Sequence, residues 1–254
     1  CIMQRCTPAL WFPKSLRSHQ NKIERGTNVV ERRHFSDAMQ GSNLRFTGEK
    51  GQGAAHQGRV GFILLEHFSL PAFTQALDTV VTANLIQSAS FTYRTFTMDG
   101  GSRVSDLGLV ICPDAALSSA SLDDLDLLVV CGGLRTVLQP IPELAQMLLR
   151  AAEKHVALAG LWNGAWFLGQ AGLLDGYRCA VHPEHRGAVA EIARDSQVTS
   201  ESYMVDRDRL TAASPAGAFH MVLEWINTLH GRGMVDAIVD ILAFEESRYR
   251  RARP

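Results

Sequence analysis

Apolar positions along the chain alternate between short uninterrupted runs and longer segments with helical spacing. Residues 60–65 form an uninterrupted apolar run, which is typical of a strand that is covered on both faces. Residues 70–87 then carry apolar side chains at helical spacing, with Pro71 suited to the first turn of a helix. The pattern therefore predicts a buried strand followed by a crossover helix.

This unit of strand and helix recurs along the rest of the chain. Further strands are predicted over residues 91–98, 123–131, 155–161, 179–182, 198–203 and 204–213, the last two joined near Asp206-Arg207-Asp208; further helices over residues 142–154, 164–174, 183–193, 215–230 and 233–253; and a short hairpin-like excursion over residues 104–112. Repeated units with short links favour right-handed crossovers. The predicted fold class is α/β, a doubly wound and mainly parallel sheet flanked by helices, with sites at the carboxyl ends of the strands.

Residues 1–58 differ from the rest of the chain in charge and in pattern. They carry nine Lys/Arg and four Asp/Glu, which leaves 16 and 22 for residues 59–254. They have neither helical nor alternating periodicity and end in a Gly- and Gln-rich run, so we predict a disordered or poorly structured extension. A basic arm that binds nucleic acid is the alternative. We expect one folded domain over residues 59–246. Residues 247–254 are rich in charged side chains, so we expect a linker to begin there.

The composition limits the classes of protein to which the chain can belong. With 254 residues, 46% of them hydrophobic, it is long enough to bury a sizeable core, and its net charge of −1 argues against a wholly basic nucleic-acid binder. The five cysteines are odd in number and widely spaced, which favours reduced thiols and a cytoplasmic location over a disulfide framework. No apolar run is long enough for a membrane helix, so we expect no membrane contact.

Candidate chemistry centres on Gly160-Leu161-Trp162-Asn163-Gly164, which lies between a predicted strand and a predicted helix. In α/β hydrolases the pattern Gly-x-nucleophile-x-Gly forms a sharp elbow that exposes the central side chain above the sheet. Here the central residue is Trp162, whose indole has no nucleophilic oxygen or sulfur. The elbow is therefore predicted to have the shape of a catalytic turn without its usual chemistry.

Three motifs together carry a resemblance to a known family. They are the Gly132-Gly133 loop after an apolar strand, the elbow followed by Ala-Gly-Leu-Leu-Asp-Gly at residues 171–176, and then His182. In this the chain resembles the class I glutamine-amidotransferase-like superfamily, with its flavodoxin-like fold. More narrowly, residues 59–251 resemble the PfpI-type domain that forms the N-terminal half of GlxA-like regulators of the AraC family.

The resemblance implies a ligand-sensing domain that forms homodimers and needs no cofactor. In those regulators a helix-turn-helix domain follows the sensor, and this chain stops at Pro254, where that domain would begin. We therefore expect DNA contact only through a C-terminal domain that this chain does not contain. The apolar helix from Met234 to Phe244 is one candidate surface for the dimer.

The chain departs from the enzymes of the superfamily at the positions that carry catalysis. Trp162 stands where those enzymes have cysteine, Asn163 where they have His or Thr, and Ala72 aligns with their supporting acid. Cys131 and Cys179 do not lie in an elbow, and buried thiols are inert. The resemblance thus predicts a non-catalytic sensor; a stand-alone enzyme with an unrecognised nucleophile and an interaction module with an empty pocket are the alternatives.

The elbow and the loop Gly132-Gly133-Leu134, here called the diglycine loop, are the first candidate ligand contacts. Regulators of this type sense amino acids or quaternary amines such as betaine or carnitine, and an indole face attracts such cations by ~0.5 to 2 kcal/mol. Trp162 and Asn163 are therefore candidates to line the crevice, although a tryptophan after a strand also fits a simple core position. Backbone N–H groups of the diglycine loop suit a ligand carboxylate, with a plain turn as the alternative.

His182-Pro183-Glu184-His185 is the last candidate cluster. Its spacing matches no zinc signature, so we expect no metal. One interpretation is a helix start, where Glu184 suits the positive end of the helix dipole. The other is ligand contact by His182 or by Glu184, which would suit a cationic group.

Overall fold

The computed structural model describes residues 57–242, so the predicted extension before them and the predicted linker over residues 247–254 lie outside the described part of the chain. The strands are β1 (Gly58–Leu64), β2 (Phe91–Thr97), β3 (Arg103–Val104), β4 (Val110–Ile111), β5 (Ala115–Ala116), β6 (Leu127–Cys131), β7 (Ala157–Leu161), β8 (Arg178–Ala180), β9 (Gln197–Thr199), β10 (Tyr203–Asp206) and β11 (Arg209–Ala212). The α-helices are α1 (Leu70–Ile86), α2 (Pro142–Glu153), α3 (Gly164–Gln170), α4 (Arg186–Ile192), α5 (Pro215–His230) and α6 (Arg232–Leu242). Short 3-10 turns cover Leu117–Ser119, Leu122–Asp124 and Pro183–His185.

Seven of these strands form one sheet in the order β10-β11-β7-β6-β1-β2-β5. Every neighbouring pair in it is parallel except β10 and β11, which form an antiparallel edge hairpin. The doubly wound, mainly parallel sheet predicted from the sequence is therefore confirmed. Its central strands β6, β1 and β7 end side by side, so the loops that follow them meet at one edge of the sheet.

The sheet separates two apolar layers because successive strand residues point to opposite faces. In β1, Phe62 and Leu64 pack into one cluster with α1, α5 and α6. Ile63, between them, packs into the other cluster with α2, α3 and α4. Both faces are covered, which explains why β1 and β6 are uninterrupted apolar runs rather than alternating ones.

The helix after the elbow is shorter than predicted. The spacing indicated residues 164–174, whereas α3 ends at Gln170. The backbone then turns at Gly172, whose φ of +73° is readily accessible only to glycine, and at Gly176, whose φ is +72°. Leu173 and Leu174 remain buried, so their apolar character belongs to the core and not to a continuing helix.

The region that follows was predicted less well. The strand expected at residues 179–182 is β8, which lies outside the main sheet and pairs with β9 in a parallel two-stranded sheet. The strand expected at residues 198–203 is wrong in extent, because that stretch contains only the end of β9 and Tyr203, the first residue of β10, which is the hairpin partner of β11. The predicted helix over residues 183–193 divides into a 3-10 turn and α4.

Helix α6 occupies a different place from the one suggested for it. Its apolar residues Met234, Val235 and Ile238 are buried in the cluster that α6 shares with α1 and α5. A face buried against its own domain is not free to bind a second copy. The suggestion that this helix provides the dimer surface is therefore wrong for its described residues.

Candidate functional site

The elbow has the sharp geometry that its glycines predict. Only Trp162 and Asn163 separate the end of β7 from the start of α3. A Cβ on Gly160 would lie 2.4 Å from the backbone nitrogen of Ala165, and one on Gly164 would lie 2.1 Å from the carbonyl oxygen of Val130. Both positions therefore need glycine for the strand, the turn and the helix to approach.

Trp162 lies at the apex of this turn in a strained conformation. Its φ is +61°, in the left-handed region that costs a non-glycine residue about 1–3 kcal/mol. Its backbone N–H donates to the carbonyl oxygen of Ala212 at 2.8 Å, which ties the apex to β11. The side chain is half-buried, whereas Trp166 one turn later is a core residue.

The indole of Trp162 stacks on the imidazole of His182. The ring centroids are 4.2 Å apart and the planes differ by 10°. The ring of His185 lies beside that of His182, with centroids 6.1 Å apart. We call Trp162, His182 and His185 the ring cluster. Two residues predicted for the site, Trp162 and His182, are thus brought together, although one follows β7 in the main sheet and the other follows β8 in the small sheet.

The diglycine loop lies beside the elbow, but its glycine N–H groups point inward. Gly132 donates to the carbonyl oxygen of Leu161 at 3.2 Å, and Gly133 donates to Oγ1 of Thr136 at 2.9 Å. A Cβ on Gly133 would lie 2.2 Å from the carbonyl oxygen of His67, so the close approach of two loops is what requires glycine there. The expectation that these two N–H groups bind a ligand carboxylate is not met, because both are already hydrogen-bonded. Leu134 is 47% exposed.

Asn163 is enclosed rather than facing an open crevice. It is fully buried, and its side-chain amide donates to the carbonyl oxygen of Thr136 at 3.4 Å. Its Oδ1 lies against Gly132, 2.0 Å from where a Cβ on that glycine would be placed. Asn163 thus joins the elbow to the diglycine loop, which corrects its predicted role as a wall of the binding site.

The pKa of His185 differs from that of an exposed histidine. Burial lowers the pKa of His185, the neighbouring His182 lowers it further, and Glu184 partly opposes the shift. His185 is therefore predominantly neutral near pH 7. Glu184 itself is exposed. Among residues 57–242, no group of three or more His, Cys, Asp or Glu side chains is arranged to hold a metal ion.

Comparison with known proteins places this geometry in a family. Residues 68–228 match the model of the DJ-1/PfpI family, and this range includes both the diglycine loop and the elbow. The chain belongs to the DJ-1/PfpI family. A solved AraC family transcriptional regulator from Pseudomonas putida is 50% identical and superposes with a TM-score of 0.70, covering 73% of this chain and 99% of that one. DJ-1beta of Drosophila melanogaster, 17% identical with a TM-score of 0.66 over 75% of this chain and 100% of that one, shares the fold.

Several relatives of this DJ-1/PfpI chain are transcriptional regulators. The HTH-type transcriptional regulator GbdR of Pseudomonas aeruginosa is 30% identical over 190 residues, which cover 74% of this chain and 51% of the relative. The HTH-type transcriptional regulator CdhR of the same species is 31% identical over 170 residues, covering 67% and 50%. The chain thus spans about half the length of these relatives. None of the helices within residues 57–242 is long and apolar enough to cross a membrane.

The groups that catalysis would need in a DJ-1/PfpI enzyme are not assembled at this elbow. Cys131 and Cys179 are buried, and burial raises the pKa of both thiols, so both remain protonated and unreactive. Ala72 is buried in the core on α1. Glu66, the acid nearest to the end of β1, is exposed and lies 3.8 Å from the guanidinium of Arg103.

The structure adds residues that the sequence analysis did not select. His67 and Ser69 lie in the loop after β1, against the diglycine loop, and Ser69 is 1% exposed. His67 has a φ of +57°, so two of the loops at this edge hold a non-glycine residue in the left-handed region. Because both residues follow a predicted strand, the rule that selected the diglycine loop would have found them. His185 is part of the motif His182-Pro183-Glu184-His185, but no pattern in the sequence favours it over Glu184 as a site residue.

Proposed function

We propose that this chain is the ligand-sensing part of an AraC-type transcriptional regulator. In this proposal it binds a small molecule without transforming it, at the edge where the elbow, the diglycine loop and the segment after β8 meet. The observation that carries the proposal is the apex of the elbow. A half-buried tryptophan with a strained backbone lies there and stacks on His182. The strained turn thus places an aromatic ring at the position where a nucleophile would otherwise be.

The thiols of the described residues support a binding role over catalysis. Two of them are buried, and the third, Cys112, is exposed but lies just after β4 on the hairpin excursion, where its Sγ is 3.2 Å from Oγ of Ser102. None of the three lies in a sharp turn between a strand and an α-helix, as Trp162 does. A bound molecule would therefore meet rings and backbone rather than a nucleophile.

The ligand proposed is an amino acid or a quaternary-amine-like compound. Trp162 and His182 offer aromatic surface, Leu134 adds exposed apolar surface, and Glu184 adds a negative charge near the ring cluster. Since the matched part of this chain makes up only about half of HTH-type regulators, we propose that occupancy is transmitted to a DNA-binding domain beyond this chain. A homodimer acting in the cytoplasm is part of the same proposal.

Calorimetric titration tests the proposal. A thermal-shift screen of amino acids and amines first selects a compound, and isothermal titration then compares wild type with Trp162→Ala. Loss of the aromatic contact should weaken binding about tenfold. Leu149→Ala on α2, where the side chain is 43% exposed, is the control and should bind as wild type does. Unchanged affinity in Trp162→Ala, or steady turnover of the compound by wild type, contradicts the proposal.

A further inference from the structure

Buried polar atoms without a partner gather at the proposed site. Six such side-chain atoms, for which the described residues offer no hydrogen-bond partner, lie on three segments of this edge: His67 Nδ1, Ser69 Oγ, Trp162 Nε1, Asn163 Oδ1, His182 Nδ1 and His185 Nδ1. Each buried, unpaired polar group costs about 1–3 kcal/mol. Since such groups are rare in folded proteins, their concentration at one place calls for a functional reason.

Three of the six atoms, Trp162 Nε1, His182 Nδ1 and His185 Nδ1, belong to the ring cluster. The three rings follow one another, with centroids 4.2 Å and then 6.1 Å apart. The indole Nε1 of Trp162 is only ever a donor, whereas a neutral imidazole nitrogen donates or accepts according to its tautomer. Whatever completes this set of atoms must therefore offer an acceptor to the indole.

The same arrangement limits how a cation can be recognised. His182 already covers one face of the indole, with planes only 10° from parallel, so a cation on that face would first have to displace the imidazole. At its edge the indole also has a hydrogen-bond donor without a partner, Nε1. The glycine N–H groups of the diglycine loop, which would otherwise receive an anion, are bonded internally.

We infer that the ring cluster is the subsite for the ligand's carboxylate, which accepts a hydrogen bond from Trp162 Nε1 and another from His182 or His185. This inference rests on the proposed function and names the group by which the ligand is recognised. The three nitrogens have almost no exposed surface, so the carboxylate enters when the neighbouring chain opens. The 3-10 turn Pro183–His185 is suited to open, because none of its residues is buried and 3-10 hydrogen bonds have poor geometry.

Two matched pairs of probes test the inference. Glycine betaine and choline share a trimethylammonium group, and only the first has a carboxylate; L-alanine and ethylamine differ in the same way. Titration is followed through the indole N–H signals of the 15N-labelled chain, which contains four tryptophans, and Trp162→Phe identifies the signal of Trp162. In at least one pair, the carboxylate member should bind about tenfold or more tightly than its partner and move the Trp162 signal downfield to saturation.

The variants separate recognition of the carboxylate from general damage. Trp162→Phe keeps an aromatic ring but has no N–H, and it should lose about tenfold in affinity for the carboxylate member alone. His182→Phe and His185→Phe each keep an aromatic ring without the imidazole nitrogens, and the one that removes the second donor should lose a similar factor. Unmoved signals of the buried Trp166 and Trp225 show that each variant is folded.

Two results would overturn the inference. If choline and ethylamine bind as tightly as their partners, or if a carboxylate probe binds while the Trp162 signal stays in place, the carboxylate subsite is wrong and the sensing function stands. If no probe binds and the wider screen of amino acids and amines also finds no ligand, both the inference and the proposed function are wrong.

Discussion

Trp162 shows at the scale of one residue what the sequence does and does not contain. Its place in a sharp turn could be predicted, because Gly160 and Gly164 flank it at the spacing of an elbow. Its stacking on His182 could not, because the two residues are 20 positions apart and no periodicity links them. The inward direction of the Gly132 and Gly133 N–H groups was also unpredictable, since it depends on how the diglycine loop packs between its neighbours.

The elbow glycine can be tested by a matched pair of substitutions. Gly160→Ala places a Cβ 2.4 Å from the backbone nitrogen and 2.8 Å from the Cα of Ala165, and backbone atoms of a packed helix cannot move aside cheaply. We expect the free energy of unfolding to fall by about 1–3 kcal/mol. Gly187→Ala in α4 has nothing within 4 Å of the new Cβ and should gain about 0.5–1 kcal/mol. Urea denaturation measures both, and equal stability of Gly160→Ala and wild type would show that the turn is looser than described.

His185 should make the free energy of unfolding depend on pH. Because burial and His182 lower its pKa below the ordinary value of about 6.5, the unfolded chain takes up a proton there more readily than the folded one. The free energy of unfolding is therefore unaffected by the protonation of this group at neutral pH and decreases as the pH falls below about 6.5. The decrease stops once the pH is below the pKa of His185 in the folded chain.

The measurement compares urea midpoints near pH 7 and pH 5.5 in wild type and in His185→Gln, which cannot titrate in this range. The loss of stability on acidification should be smaller in the variant. A variant that loses as much as wild type would mean that His185 is not held neutral by its surroundings.

At the scale of elements, pattern alone located most of the strands and helices. Helix α5 has the predicted bounds, and β1, α1 and α2 differ from prediction by only one or two residues at an end. The errors gather between residues 171 and 203, where short elements depend on left-handed glycines and on a second small sheet. Periodicity needs several turns of helix or several strand residues to be recognised, and these elements are too short to supply them.

The packing of helix α6 against its own domain can be tested by substitution. Ile238 is fully buried against the domain's own core, so Ile238→Ala should cost about 2–5 kcal/mol of unfolding free energy. The loss should be the same at low and high protein concentration, because the contact lies within one chain. Asp240→Ala on the exposed face is the control and should change stability by no more than about 0.5 kcal/mol. A loss that disappears at high concentration would indicate that this face is shared with a second copy.

At the scale of the whole molecule, the sequence predicted the architecture and the edge at which the site lies. A parallel sheet brings the carboxyl ends of β1, β6 and β7 together, so the loops after these strands were expected to meet. Which side chains face one another there depends on loop conformations, and these follow from tertiary packing rather than from local pattern. The ring cluster and the six unpartnered polar atoms therefore appear only in the folded molecule.

In the function proposed for this protein, the elbow presents a binding residue instead of an attacking one. A crystal structure of the chain with the compound selected by thermal shift tests it most directly. We expect unmodified compound in contact with the Trp162 ring, with its carboxylate hydrogen-bonded to Nε1 and to a histidine of the ring cluster. A compound bound away from this edge of the sheet, or joined covalently to a cysteine, would contradict it.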